Sequence, residues 1–291
     1  MAEQAHEPTS TNTYVIDAES ATEMARLTNQ DYILTENMGS LLPPDIDLTH
    51  TRTILDIACG PGGWALSLAY EHPKLEVVGV DISKIMIQYA RAQAHARSID
   101  NASFKVMNAL QPFSFPDQSF DGVNARLLVG FMPKTYWPSF IKECWRITRP
   151  GGFICLTESD EFSTSNSPAS ERGKVLFFQA LQKAGMVLPT DHHSFGITPL
   201  LGRMLRKTGY LNVRRKSHAL DFSADTEIHQ AMFENFMTGT QLVQAFLTKT
   251  GVATPQEAEE LIQQQTIEML SDDFCALWYY LTVYGIKPAE Q

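Results

Sequence analysis

At 291 residues the chain is long enough for one elaborated α/β domain or two small ones, and either can bury a core. Apolar residues make up 44% and charged residues 19%, a globular composition that excludes a wholly disordered or fibrous chain. The formal charge of -10 repels a phosphate backbone unless cations cluster, and the densest basic run is only Arg214, Arg215 and Lys216, so no nucleic-acid partner is expected.

The four cysteines, Cys59, Cys144, Cys155 and Cys275, form no CxxC pair and lie within apolar segments, where reduced thiols pack as small hydrophobes. Residues 1–13 lack the basic-then-apolar order of a signal peptide, and no apolar run approaches the roughly 20 residues that span a bilayer. The expectation is a cytoplasmic protein without a membrane partner.

In chain order, residues 19–38 carry Ala21, Met24, Ala25, Leu27 and Leu34 at helical spacings, and the paired prolines of LLPPDIDLTH then mark a linker. The pattern next alternates: strand 53–57, helix 63–70, strand 76–80, helix 84–97, strands 103–106 and 120–125, helix 136–148, strand 153–157. That order predicts right-handed crossovers and a parallel, doubly wound sheet. Pro150, Gly151 and Gly152 read as a tight turn before the last of these strands. Beyond residue 158 come the polar stretch SDEFSTSNSPAS, helices 172–184 and 199–207, a strand near 213–220, and two helices over 226–249 and 255–270. The apolar finale CALWYYLTVYGIKP reads as the last strand of the sheet. The predicted organisation is a helical lid segment (1–50), a core (51–225), a helical cap insertion (226–272) and a final core strand with tail (273–291).

In TILDIACGPGGWA a β-branched strand enters a glycine turn that opens a helix, the arrangement in which backbone approaches a ligand at a helix amino end. Gly60, Gly62 and Ala65 also satisfy the nicotinamide fingerprint, which leaves an oxidoreductase as an alternative at this point. Asp56 at the end of the first strand suits a cationic sulfonium ligand, and Asp81 at the end of the second can accept hydrogen bonds from both ribose hydroxyls. Two acids at successive strand ends favour a cationic nucleoside over a dinucleotide.

These residues resemble the class I S-adenosylmethionine-dependent methyltransferases, especially the group containing the ubiquinone and menaquinone C-methyltransferases. The resemblance spans residues 51–158: DIACGPGGW is similar to the first motif, VVGVDIS to the ribose strand, FSFPDQSFDGV to the fourth strand and ECWRITRPGGFICLTE to the helix, turn and fifth strand. It implies a Rossmann-like seven-stranded sheet with a helical cap, S-adenosylmethionine as cofactor and S-adenosylhomocysteine as product. It further implies that Asp56 and the backbone near Gly60 hold the methionine moiety, Asp81 the ribose and Ile82 the adenine, that Asn108, where the pattern usually has an acid, accepts from the adenine amino group, and that Ala58, Gly62 and Ala109 also meet the cofactor. Asn124 and Arg126 end the fourth strand at the ligand-bearing edge, where Arg126 could reach an anionic group or serve as an ion-pair residue.

Methyl transfer from a sulfonium needs alignment more than acid-base chemistry; an acceptor oxygen, nitrogen or carbon can also require a base. The candidates are Glu158, His192 and His193, followed by Asp160 and His229. Adjacent histidines point apart and no HxxxH partner exists, so no metal is expected. Tyr14, Tyr32, Met232, Phe233, Phe236, Met237 and Phe246 are available to line a pocket for a small apolar or aromatic acceptor, with Tyr14, Tyr32, Phe233 and Met237 as its expected wall. A monomer or homodimer is expected. A protein or transfer-RNA acceptor, and a fold retained for binding without turnover, stay open as alternatives.

Overall fold

In the computed structural model, which describes residues 13–187 and 194–289, eight helices and eight strands surround one mixed sheet. Five strands come first: β1 (Thr53–Ile57), β2 (Glu76–Asp81), β3 (Ala102–Val106), β4 (Phe120–Arg126) and β5 (Thr148–Glu158). They are parallel and run in the order β3-β2-β1-β4-β5. Long β8 (Ala276–Ile286) lies antiparallel between β5 and β7 (Leu211–Asp221), completing the seven-stranded sheet expected. An eighth strand, β6 (Thr164–Ser165), is two residues long and pairs with β8 beyond the end of β5.

Parallel strands buried on both faces should be continuously apolar, and β1 is buried from Ile54 to Ile57 with Asp56 as its one exception. Leu55 and Ile57 face the layer formed by α4 (Trp137–Ile147), α5 (Pro168–Lys183) and α6 (Thr198–Thr208). Ile54 faces α2 (Gly63–Glu71) and α3 (Lys84–Ala96). A third cluster joins α1 (Ala21–Met38), α7 (His229–Lys249) and α8 (Pro255–Met269) to the outer ends of β7 and β8. The helices from the two chain ends therefore share one apolar layer over the sheet edge.

Two local readings change. Pro150–Gly152 is not a turn before β5 but an irregularity inside it: the register to β4 jumps from Phe120↔Thr148 to Gly122↔Phe153. Gly151, at φ 79, bulges outward, and its N–H donates to Lys287 O at 2.9 Å. Helix α5 starts at Pro168, inside the stretch read as polar loop, because the Ser167 hydroxyl caps Ser170 N at 3.0 Å and proline suits the first helical turn. Among the described residues no helix is long and apolar enough to cross a membrane.

Candidate active site

The carboxyl ends of β1, β2 and β4 open onto a cavity of about 340 Å³. After β1 the chain turns sharply: Ala58 has φ 54, Gly60 φ 52 and Gly62 φ 83. Holding alanine in the left-handed region costs about 1–2 kcal/mol, strain of a kind that concentrates at ligand sites. Asp81, one strand over, holds this loop: one carboxylate oxygen accepts from Gly60 N at 2.9 Å and the other from Ser83 N at 2.9 Å. Gly60 lines the cavity with no atom within 4 Å of where a Cβ would stand, so a side chain there would fill ligand space.

Gly62 corrects the expectation that it touches ligand. It does not line the cavity; a Cβ would come within 2.8 Å of Ala90 Cβ and 2.9 Å of Phe104 Cε1, so its role is to let the loop enter α2. Asn124 is corrected likewise: it is 1% exposed, lies off the cavity wall, and donates from Nδ2 to Asp56 Oδ1 at 2.8 Å. Burial pushes the Asp56 carboxyl up to about 7, with the Asn124 hydrogen bond opposing and nearby Asp81 adding to the rise. Burial also raises Asp81, against the backbone N–H groups that favour its charge. Asp56, Ala58, Asp81, Ile82, Asn108 and Ala109 all line the cavity, and Asn108 Oδ1 accepts from Leu110 N at 2.9 Å to shape the turn after β3.

At the end of β4, Arg126 lines the cavity and spends its guanidinium on α1, donating to Asp31 Oδ1 and, at 3.1 Å, to Thr35 Oγ1. Burial lowers it to about 10, so it remains a cation at neutral pH. The next residue, Leu127, is left-handed at φ 56, and the turn it starts is pinned by Glu158, whose two oxygens accept from Leu128 N at 2.9 Å and Val129 N at 3.1 Å. Glu158 is fully buried, off the cavity wall and pushed up to about 8 by burial: it holds the backbone and does not face an acceptor. Asp160 is similarly committed, accepting from Ile197 N at 2.7 Å and Thr198 N at 3.1 Å at the start of α6, and His229 pairs through Nδ1 with Phe222 O at 3.0 Å. Neither lines the cavity, and His192 and His193 lie outside the described residues.

The amino-terminal segment forms the roof. Glu19 accepts from Lys84 N at 2.8 Å and Ile85 N at 3.1 Å, capping α3 from outside, where the helix amino end attracts an anion. Asp31 stands close over the amino end of α2: a Cβ on Gly63 would collide with its carboxylate. Tyr14 lines the cavity as expected and donates to Glu23, whose carboxylate also receives Arg26 Nε at 2.7 Å. Arg26 extends this buried network to Asn235 of α7 at 3.3 Å. No sequence motif marks Glu19, Asp31 or Glu23; for Glu23 the only trace is a polar residue on the buried face of α1.

Three expected wall residues are not there. Tyr32 is 65% exposed on the outer side of α1, Met237 is buried among α1, α7 and α8, and Phe233 packs against that same cluster. None lines the cavity. A helix repeat of 3.6 residues puts Phe236, not Phe233 or Met237, on the inner side of α7, joined by Phe222, Phe177 and Trp278 from other elements.

The family described as "Methyltransferase domain" matches residues 54–152. A demethylmenaquinone methyltransferase of Deinococcus radiodurans is 31% identical over 187 residues, covering 60% of this chain and 73% of the relative. The chain belongs to the class I S-adenosylmethionine-dependent methyltransferases. Methyltransferase str2 of Strobilurus tenacellus is 30% identical over 148 residues, 50% of this chain and 49% of that protein, so the chain spans about half of that relative. Among solved structures, phosphoethanolamine N-methyltransferase 2 of Haemonchus contortus superposes with a TM-score of 0.55 at 17% identity, covering 94% of this chain and 60% of that one, a likeness of fold.

The methyltransferase core fits its cofactor on its own geometry. Asp81, fixed by two backbone N–H groups, keeps free lone pairs for a diol; Gly60 leaves the loop bare; Asp56 places a carboxyl beside the cavity, where a cation would favour its ionised form. Ile82, Met107, Ala109 and Leu110 supply an apolar slot beyond Asp81. Bound there, S-adenosylmethionine supplies an activated methyl carbon and a neutral leaving thioether.

Proposed function

We propose that this methyltransferase modifies a small, largely apolar and aromatic molecule held between the cofactor loop and a roof built from residues 13–50 and 226–272. One observation carries the reading: the cavity that begins at Asp56, Gly60 and Asp81 continues without a break to Phe177, Phe236 and Trp278 beneath the roof. An acceptor enclosed there is desolvated and aligned, and holding reacting atoms about 3–3.5 Å apart in line contributes several kcal/mol to catalysis.

The charges on the wall favour a neutral acceptor. Each cation that lines it is already matched: Arg26 by Glu23, Arg126 by Asp31, and Lys174 by Glu161 and Glu171. A phosphorylated acceptor, such as the one named for the Haemonchus enzyme, would have to break one of these pairs. The demethylmenaquinone methyltransferases among the relatives are named for a quinone, which agrees with an aromatic chamber.

Asp56 and Asp81 hold the cofactor end, Glu158 and Asn124 keep that end in shape, and the Asp31–Arg126 ion pair keeps the roof closed over the acceptor. The chemistry assigned to these residues is binding, orientation and exclusion of water. The test is calorimetric titration with S-adenosylhomocysteine, followed by mass-shift profiling of a metabolite extract with isotope-labelled S-adenosylmethionine. A labelled apolar aromatic product supports the reading; labelled protein or RNA alone overturns it, and cofactor binding with no labelled product favours a fold kept for binding without turnover.

A further inference from the structure

Gln265 stands where the pattern of α8 calls for an apolar residue. The buried face of that helix is Ala258, Leu261, Ile262, Gln265 and Met269, and Gln265, 6% exposed, also lines the cavity. Its amide oxygen has no hydrogen-bond partner. The other buried side-chain atom in that condition among the described residues, Tyr210 Oη, lies off the cavity. Three other polar atoms of the acceptor end are committed: Lys174 Nζ to Glu161 at 2.9 Å and Ser163 O at 2.8 Å, Thr240 Oγ1 to Phe236 O at 3.0 Å, and Asn235 Oδ1 to Arg26.

The opposite helix makes room for the amide. A Cβ at Gly173, in the interior of α5, would stand 2.9 Å from Gln265 Nε2. Glycine weakens a helix interior and an unpaired buried amide weakens a core, so two facing positions both depart from what folding alone favours. Paired departures of that kind belong to functional sites.

We propose that Gln265 selects the acceptor, its amide receiving a single hydroxyl or similar hydrogen-bonding group on an otherwise apolar aromatic molecule. The assignment rests on the reading of this cavity as the acceptor chamber. An amide both donates and accepts, so it pairs with a hydroxyl in either sense, and it rejects the deoxy analogue because its own polar atoms would stay unpaired.

The test is calorimetric titration of the full chain, saturated with S-adenosylhomocysteine, using 2-naphthol and its apolar shape-match 2-methylnaphthalene. Wild type is expected to prefer 2-naphthol by about fivefold, and Gln265→Leu to bring the two within about twofold. The variant keeps its S-adenosylhomocysteine affinity and melts about 2 °C or more above wild type, because the amide has no internal partner to lose. Gln265→Met serves in place of leucine if the latter packs badly. A preference that survives both substitutions, no preference in wild type, or no binding of either probe overturns the assignment. Failure of wild type to bind S-adenosylhomocysteine counts instead against the cofactor end and the proposed function.

Discussion

The two ends of the cavity are built by opposite rules. At the cofactor end, ligand-facing groups come from strand termini and a glycine loop within residues 54–109, so neighbours in space are nearly neighbours in sequence. At the acceptor end, α1, α5, α7 and α8 meet from widely separated parts of the chain, and polar contacts such as Arg26 to Asn235 join residues 209 positions apart. Spacing encodes the first end, and helix packing creates the second. Beside the apolar layer that α1, α7 and α8 share with β7 and β8, the carboxylates of Glu19 and Asp31 seat the roof at the amino ends of α3 and α2.

The largest effect separating the two ends is expected at Asp81. Asp81→Ala frees Gly60 N and removes the carboxylate proposed to receive the ribose, two charge-assisted hydrogen bonds whose loss is expected to lower S-adenosylhomocysteine affinity by about 100-fold in calorimetry. An affinity within threefold of wild type would show that the cofactor end is not organised by this residue. Next comes Asp31→Ala, which strands a buried guanidinium: side-chain exposures of 12% for Arg126 and 21% for Asp31 point to a stability loss of roughly 2 kcal/mol in denaturant melts. Adding Arg126→Met should recover most of that stability while methyl transfer stays about tenfold down, since the roof remains unlatched. Recovery of activity along with stability would mean that the latch matters only for folding.

A smaller, pH-dependent effect follows from Asp56. Its carboxyl rises from 3.8 to about 7 on folding, so the folded chain binds that proton more tightly than the unfolded one. Its contribution to stability is therefore greatest below about pH 4 and is lost as pH climbs towards 7. A cation bound alongside recovers the loss and neutral S-adenosylhomocysteine does not. The melting shift given by S-adenosylmethionine over S-adenosylhomocysteine should thus grow from pH 6 to pH 8, and Asp56→Asn should flatten it. A flat wild-type profile would remove Asp56 from contact with the sulfonium.

The smallest effects are expected where sequence reading and geometry part company. Glu158→Gln should leave the methyl-transfer rate within about tenfold, since the carboxylate holds Leu128 and Val129 and faces no acceptor; a base would cost up to about 10⁴-fold. Tyr32→Ser, on the exposed side of α1, should change stability by less than about 0.5 kcal/mol and leave product formation untouched.

Several of these contrasts trace to what a one-dimensional pattern can carry. The β-branched run before Gly60, the acids at Asp56 and Asp81, and the final strand that slots beside β5 are all legible, because strand period and strand-end chemistry are local. Asn124 and Gly62 sit in the same motif region, yet one serves as the partner of Asp56 and the other as the space beside Ala90 and Phe104. Their roles depend on atoms contributed by other elements.

The amino-acid sequence by itself determined the doubly wound sheet, the methyl donor and the strand ends that open onto the cavity, since those follow from hydrophobic period, glycine and acid placement along short stretches of chain. Only the tertiary structure decided that Glu158 braces a turn, that Tyr32 faces outward while Phe236 faces in, that Asp31 latches the roof, and that Gln265 is buried without a partner. Each of those depends on which elements pack against one another. The side of a helix that becomes an inner wall is set by its neighbours, and the energy that sets it comes from burial summed over the whole interface rather than from any local run of residues.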